Sequence, residues 1–101
     1  MMKMNLKEWQ KIITHQYTIT HGFDWEPSEI EIMLLRSHSE VSEASEAIQD
    51  KNLNLFAEEL ADIFIRLANG AEVMGVNLED QVKRKHQINM KRPFLHGRKR
   101  K

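Results

Sequence analysis

Four acidic residues stand out for their spacing. Glu40 and Glu43 are three apart, and so are Glu59 and Asp62. On a helix, residues three apart share a face. The short stretch Lys51-Asn52-Leu53-Asn54 separates the two segments. Glu43 lies eight residues before it and Glu59 five after it, so an antiparallel hairpin would bring both pairs to comparable heights. Four converging carboxylates repel one another unless a counter-charge is present, and such a cluster implies bound cations. The donors are all oxygen and the chain has no cysteine, which points to Mg²⁺ or Mn²⁺ and away from zinc. Magnesium held by carboxylates usually also holds substrate phosphates, so the constellation suggests phosphate-ester or anhydride chemistry. The competing reading is plain: acids three apart occur on most solvated helices. Against it, both pairs lie on segments that also carry apolar faces.

Four helical segments would have to position these acids. Residues 4–19 place Met4, Leu6, Trp9, Ile12, Ile13 and Tyr17 at roughly helical steps. Residues 20–27 form a connector with Gly22 and Pro27. Ser28 followed by Glu31 reads as a capping box opening a second helix that runs to about Asp50. Its apolar face comprises Ile30, Met33, Leu34, Ser37, Val41, Ala44 and Ile48, with Glu40 and Glu43 on the border. The third helix is expected from about Leu55 to Met74, with Asn54 as N-cap and Gly75 as left-handed C-cap. It is apolar over much of its circumference, with Leu60, Ile63, Phe64, Leu67 and Ala71 on one side and Ala61, Ile65 and Ala68 on another. That pattern predicts the central, most buried element, with Glu59, Asp62 and Arg66 in the remaining polar sector. Asn77 and Asp80 start a fourth helix that ends near Lys91, stopped by Pro93. The tail from about residue 93 is basic and expected to fray. No strand pattern and no internal repeat is visible. The expected fold is an all-α four-helix bundle with a central antiparallel helix pair, a single domain over 1–101.

Composition narrows the setting. A domain of 101 residues buries a modest share of its surface, and a partner subunit would help it. The absence of cysteine excludes disulfides and thiol chemistry. Lys3, Lys7, Glu8 and Lys11 interrupt any signal-peptide core, and no apolar run approaches a membrane span, so the expected compartment is the cytoplasm. Net charge is zero but unevenly spread. Residues 29–62 carry nine acids against Arg36 and Lys51, whereas residues 63–101 carry ten basic residues against Glu72, Glu79 and Asp80. Carboxylates that hold cations, with basic groups sharing a polyphosphate, would use this asymmetry. Simple attraction between the two halves accounts for it as well.

The stretch Leu35-Arg36-Ser37-His38-Ser39-Glu40-Val41-Ser42-Glu43-Ala44-Ser45-Glu46-Ala47 resembles the first signature of MazG-like pyrophosphohydrolases. Phe56-Ala57-Glu58-Glu59-Leu60-Ala61-Asp62-Ile63-Phe64-Ile65-Arg66 resembles the second. Lys85, Asn89, Arg92-Pro93 and His96-Gly97 match the ending seen in many members, and together the matches span roughly residues 22 to 99. The resemblance implies Mg²⁺ (or Mn²⁺) bound through Glu40, Glu43, Glu59 and Asp62. It implies hydrolysis of a nucleoside triphosphate, a dNTP in particular, between the α and β phosphates. It also implies a homodimer or homotetramer whose sites can draw on more than one subunit. Water would be the nucleophile in an in-line displacement, with Glu43 or Glu46 orienting it. Ser39 stands where many relatives have another Glu, and Asn69 where some have Asp.

By the same resemblance Lys85, Asn89, Arg92 and His96 contact phosphates. Lys85 and Asn89, four apart on one helix, form a shared face that otherwise reads as solvated surface. Trp9, Phe23 and Trp25 could stack on a nucleobase. The stretch Gly22 to Trp25 resembles a connector that borders the nucleotide pocket in related proteins, with core packing or a subunit interface as the other reading. His38, one turn from Ser42, reads as surface or packing. The run Arg98-Lys99-Arg100-Lys101 could meet nucleic-acid phosphates, though a short run is more often solvated. Two other functions fit parts of the pattern. One is a phosphoribosyl-ATP pyrophosphohydrolase, which shares the fold and the acid pairs. The other is a non-enzymatic dimerisation or nucleic-acid-binding module, which the four-acid set argues against.

Overall fold

A computed structural model describes residues 4–21 and 26–92. Within them the chain forms four helices: α1 (Leu6–His21), α2 (Pro27–Gln49), α3 (Leu53–Val73) and α4 (Leu78–Lys91). There is no strand among the described residues, in accord with the all-α expectation.

The helix ends follow from local hydrogen bonding. At α1, Asn5 and Glu8 cap each other reciprocally: the Glu8 N–H donates to Asn5 Oδ1 at 2.9 Å and the Asn5 N–H to Glu8 Oε1 at 3.0 Å. This box starts α1 at Leu6, two residues later than the apolar spacing predicts, and α1 continues to His21. The start of α2 is a second correction. Glu26 is the N-cap, and its N–H donates to the Glu29 carboxylate at 2.8 Å. Pro27 takes the first helical position, where its fixed φ suits the helix and its missing N–H costs nothing. Ser28 and Glu31, the expected box, therefore lie inside the first turns. The start of α3 is a third. Asn52, not Asn54, is the cap, accepting from the Leu55 N–H at 3.1 Å. At α4, Asn77 accepts from the Asp80 N–H at 3.2 Å, as expected.

The reversal between α2 and α3 takes only Asp50, Lys51 and Asn52. Lys51 adopts φ 57°, and the Asn52 N–H donates to Ala47 O at 2.8 Å while the Lys51 N–H donates to Ile48 O at 3.0 Å. These are the paired bonds of a Schellman closure. The end of α3 repeats them with Gly75 at φ 73°, as expected of that glycine: the Val76 N–H donates to Ala71 O at 2.8 Å and the Gly75 N–H to Glu72 O at 3.1 Å.

Among the described residues, α3 touches the other three helices, whereas α2 touches neither α1 nor α4. The core is small. On α2 it comprises Ile30, Met33, Ser37, Ala44 and Ala47, and on α3 it comprises Ala68, Asn69 and Gly70. Along α2 and α3 the partners run in opposite order: Ile30 lies under Gly70, Met33 beside Asn69, and Glu40 against Arg66. The buried arc of α2 is narrower than the apolar pattern suggests. Leu34, Val41 and Ile48 are exposed, and Glu40 falls inside the buried arc instead of on its border.

Two further expectations are corrected. Although α3 is central, it is not buried along its length: Leu60, Phe64 and Leu67 remain 48%, 38% and 42% exposed. No described helix of this chain covers that side. On α1, Trp9 and Ile12 are exposed while Gln10 is buried at 2%. The turn between α3 and α4 claims Gln10. Its Nε2 donates to Glu72 Oε1 at 3.0 Å and to Val76 O at 2.6 Å, and its Oε1 accepts from the Leu78 N–H at 3.2 Å. Its three bonds tie α1 to the last turn of α3, to the turn that follows and to the start of α4.

Candidate metal centre

The α2–α3 seam carries the acids. Glu40 comes from the buried arc of α2, and Glu59 and Asp62 come from successive turns of the polar sector of α3. One carboxylate oxygen from each of these three lies within 4.8 Å of the others. Glu43, one turn on from Glu40, is exposed and falls outside this trio, and it acts on the Glu59 carboxyl as a neighbouring negative charge. The structure thus gathers three of the four acids of the two spaced pairs, with Glu43 beside them.

The electrostatics of the cluster are unbalanced. Burial of the Glu59 carboxyl raises its pKa above the ordinary value, and so do the Glu43 hydrogen bond and the negative charges of Glu43, Asp62 and Glu40. One cation is in place. Arg66, one turn beyond Asp62 on α3, donates from Nε to Glu40 Oε1 across the helix pair. Glu40 Oε2 and Glu59 Oε2 are buried, and no donor among the described residues reaches either. Buried carboxylate oxygens without donors are costly unless something positive meets them. An all-oxygen set with two such atoms fits a hard divalent cation.

Below the acids the seam stays polar. The Ser37 hydroxyl donates to Met33 O at 3.1 Å, and the Asn69 amide lies 4.0 Å from Met33 Sδ. Asn69 is 2% exposed, and its Oδ1 has no partner among the described residues.

The other site candidates lie apart from this cluster or outside the described residues. Glu46 is exposed on α2 and is not one of the clustered ligands. Lys85, Asn89 and Arg92 are exposed on or just after α4, which does not touch α2. Trp9 is partly exposed on α1, which does not touch α2 either. Phe23, Trp25, Pro93 and His96 lie outside the described residues. The residue that reading by type and spacing passes over is Arg66. It falls in the same polar sector as Glu59 and Asp62, but a single cation four residues from an acid is ordinary on a solvated helix.

Residues 28–92 match the MazG nucleotide pyrophosphohydrolase domain. The chain belongs to the MazG nucleotide pyrophosphohydrolase family. The matched span contains nearly all of α2 and the whole of α3 and α4, hence every clustered acid and Arg66 of the MazG domain. The described part of α1 precedes it. No curated protein and no solved structure matches the chain. Among the described residues, no helix is long and apolar enough to cross a membrane.

Proposed function

We propose that this MazG domain hydrolyses a nucleoside triphosphate, a deoxynucleotide in particular, between its α and β phosphates, giving a nucleoside monophosphate and pyrophosphate. The convergence of Glu40, Glu59 and Asp62, with two buried carboxylate oxygens lacking donors, carries this reading. Glu40, Glu43, Glu59 and Asp62 are the ligands in it, and Mg²⁺ is the ion, with Mn²⁺ able to replace it. When bound, the ion supplies charge neutralisation of the triphosphate and of the developing transition state. Glu43 orients the attacking water. Its charge acts on Glu59, whereas Glu46 is not among the charges that do, and this favours Glu43 for that role. The descending order of contacts along α2 and α3 supports an antiparallel central pair that fixes these side chains.

In this reading Lys85, Asn89, Arg92 and His96 bind phosphate, and Trp25, Phe23 and Trp9 border the base. Among the described residues α4 does not touch α2 within one chain, which supports a basic face supplied from a second subunit. The uncovered Leu60, Phe64 and Leu67 on α3 and Leu34 and Val41 on α2 support assembly into a homodimer or homotetramer. The setting is the cytoplasm, where nucleotide pools reside.

The test is pyrophosphate release from a full panel of NTPs and dNTPs, with phosphoribosyl-ATP included, in Mg²⁺ or Mn²⁺. Release from at least one dNTP is expected. No release from any substrate sinks the proposal, and activity on phosphoribosyl-ATP alone reassigns the substrate.

A further inference from the structure

Arg66 has no part in the proposed ligand set, yet it makes the only ion pair across the α2–α3 seam among the described residues. Its guanidinium engages one oxygen of Glu40 and leaves the other, Oε2, buried and without a donor. The Glu40 side chain is 13% exposed and has Glu59 and Asp62 for neighbours, both acidic. Among the described residues nothing else hydrogen-bonds the Glu40 carboxylate, so without Arg66 its like-charged neighbours would drive it toward solvent.

We infer that Arg66 is a positioning residue for the divalent ion: it anchors Glu40 by Oε1 so that Oε2 is the oxygen offered to the metal. The inference rests on the reading of the acid cluster as a metal centre. One helix, α3, then carries two ligands and also the cation that fixes the third ligand on its neighbour. Arg66 and the ion engage different oxygens of one carboxylate, so they bind together and do not exchange. A guanidinium suits this role because its planar fork fixes direction, whereas an ammonium is a point charge. A simple counter-charge would behave in the opposite way, since its removal would leave the acids freer to bind a cation.

The test is Mn²⁺ binding to the full chain, read by calorimetry and by the electron paramagnetic resonance of free Mn²⁺. The proteins are the wild type, Arg66→Gln, Arg66→Lys, Glu40→Gln and the Glu40→Gln/Arg66→Gln double variant, with circular dichroism confirming that each is helical. Arg66→Gln is expected to weaken Mn²⁺ binding about 10- to 100-fold, the range for partners that orient metal ligands. Arg66→Lys recovers part of that loss. Because Arg66 acts through Glu40, the double variant binds within about twofold of Glu40→Gln alone. Equal or tighter binding by Arg66→Gln overturns the inference, as does a double variant whose loss is the product of the two single losses. A wild type that binds no Mn²⁺ overturns the metal reading and this inference with it. Normal wild-type binding with an unaltered Arg66→Gln overturns only the role of Arg66.

Discussion

Glu59 is the residue at which charge, burial and function meet. Its pKa is raised by burial first and by Glu43, Asp62 and Glu40 next. For a carboxyl shifted upward, the folded state holds its proton more tightly than the unfolded state does. Its contribution to stability is therefore complete below the ordinary value of 4.5 and is lost as pH rises through the folded-state value. In chelator, wild type should lose thermal stability relative to Glu59→Gln as pH is raised from acid to neutral, a trend read directly from paired melting curves. The same substitution should abolish pyrophosphate release at saturating Mg²⁺. At neutral pH, Mg²⁺ at a hundred times its Kd should stabilise wild type by about 2.7 kcal/mol, and Glu59→Gln far less. Much of this site is legible by type and spacing, because acids three apart on two adjacent segments have few geometric options. The role of Arg66 is not legible that way. A lone arginine in a polar sector looks the same whether it meets water or a carboxylate on another helix.

At the scale of the elements, the helix ends decide where the acids sit. Gly75 has a positive φ, and alanine there should cost about 1 kcal/mol in a urea titration. Lys51 accepts the same conformation with a β-carbon, so Lys51→Gly should gain about 0.5 to 1 kcal/mol by the same measurement. Gln10→Ala should cost about 1 to 3 kcal/mol, because it strips the Val76 carbonyl and the Leu78 N–H of part-buried hydrogen bonds. The caps at Asn77 and Gly75 could be read from the chain because one candidate stood in the right place. At the start of α2 two candidates compete, and Ser28 with Glu31 matches the motif better. Pro27 overrides it through backbone geometry. Asn52 and Asn54 are likewise rivals, and the tightness of the Schellman turn selects the earlier one. Burial of Gln10 in place of Trp9 was not legible at all, since the groups that claim it lie more than sixty residues away.

At the scale of the whole molecule, α3 is the common support and much of its apolar side is uncovered. Leu60, Phe64 and Leu67 are apolar where a single chain offers them nothing, and that is why an apolar pattern could predict burial that one copy does not provide. If a second copy covers this face, Phe64→Glu should reduce the mass measured by light scattering after gel filtration while the circular dichroism stays helical. An unchanged mass would remove Phe64 from the interface.

The three-residue turn at Asp50, Lys51 and Asn52 has a last consequence. Each residue added to a helical path rotates the remainder of the helix by about 100°. Lengthening this turn, or shifting the start of α3 by one position, would leave both helices formed and both acid pairs intact in sequence. It would also swing Glu59 and Asp62 out of phase with Glu40. Most surface connections tolerate insertions, but here the connection is the timing mark that aligns two half-sites.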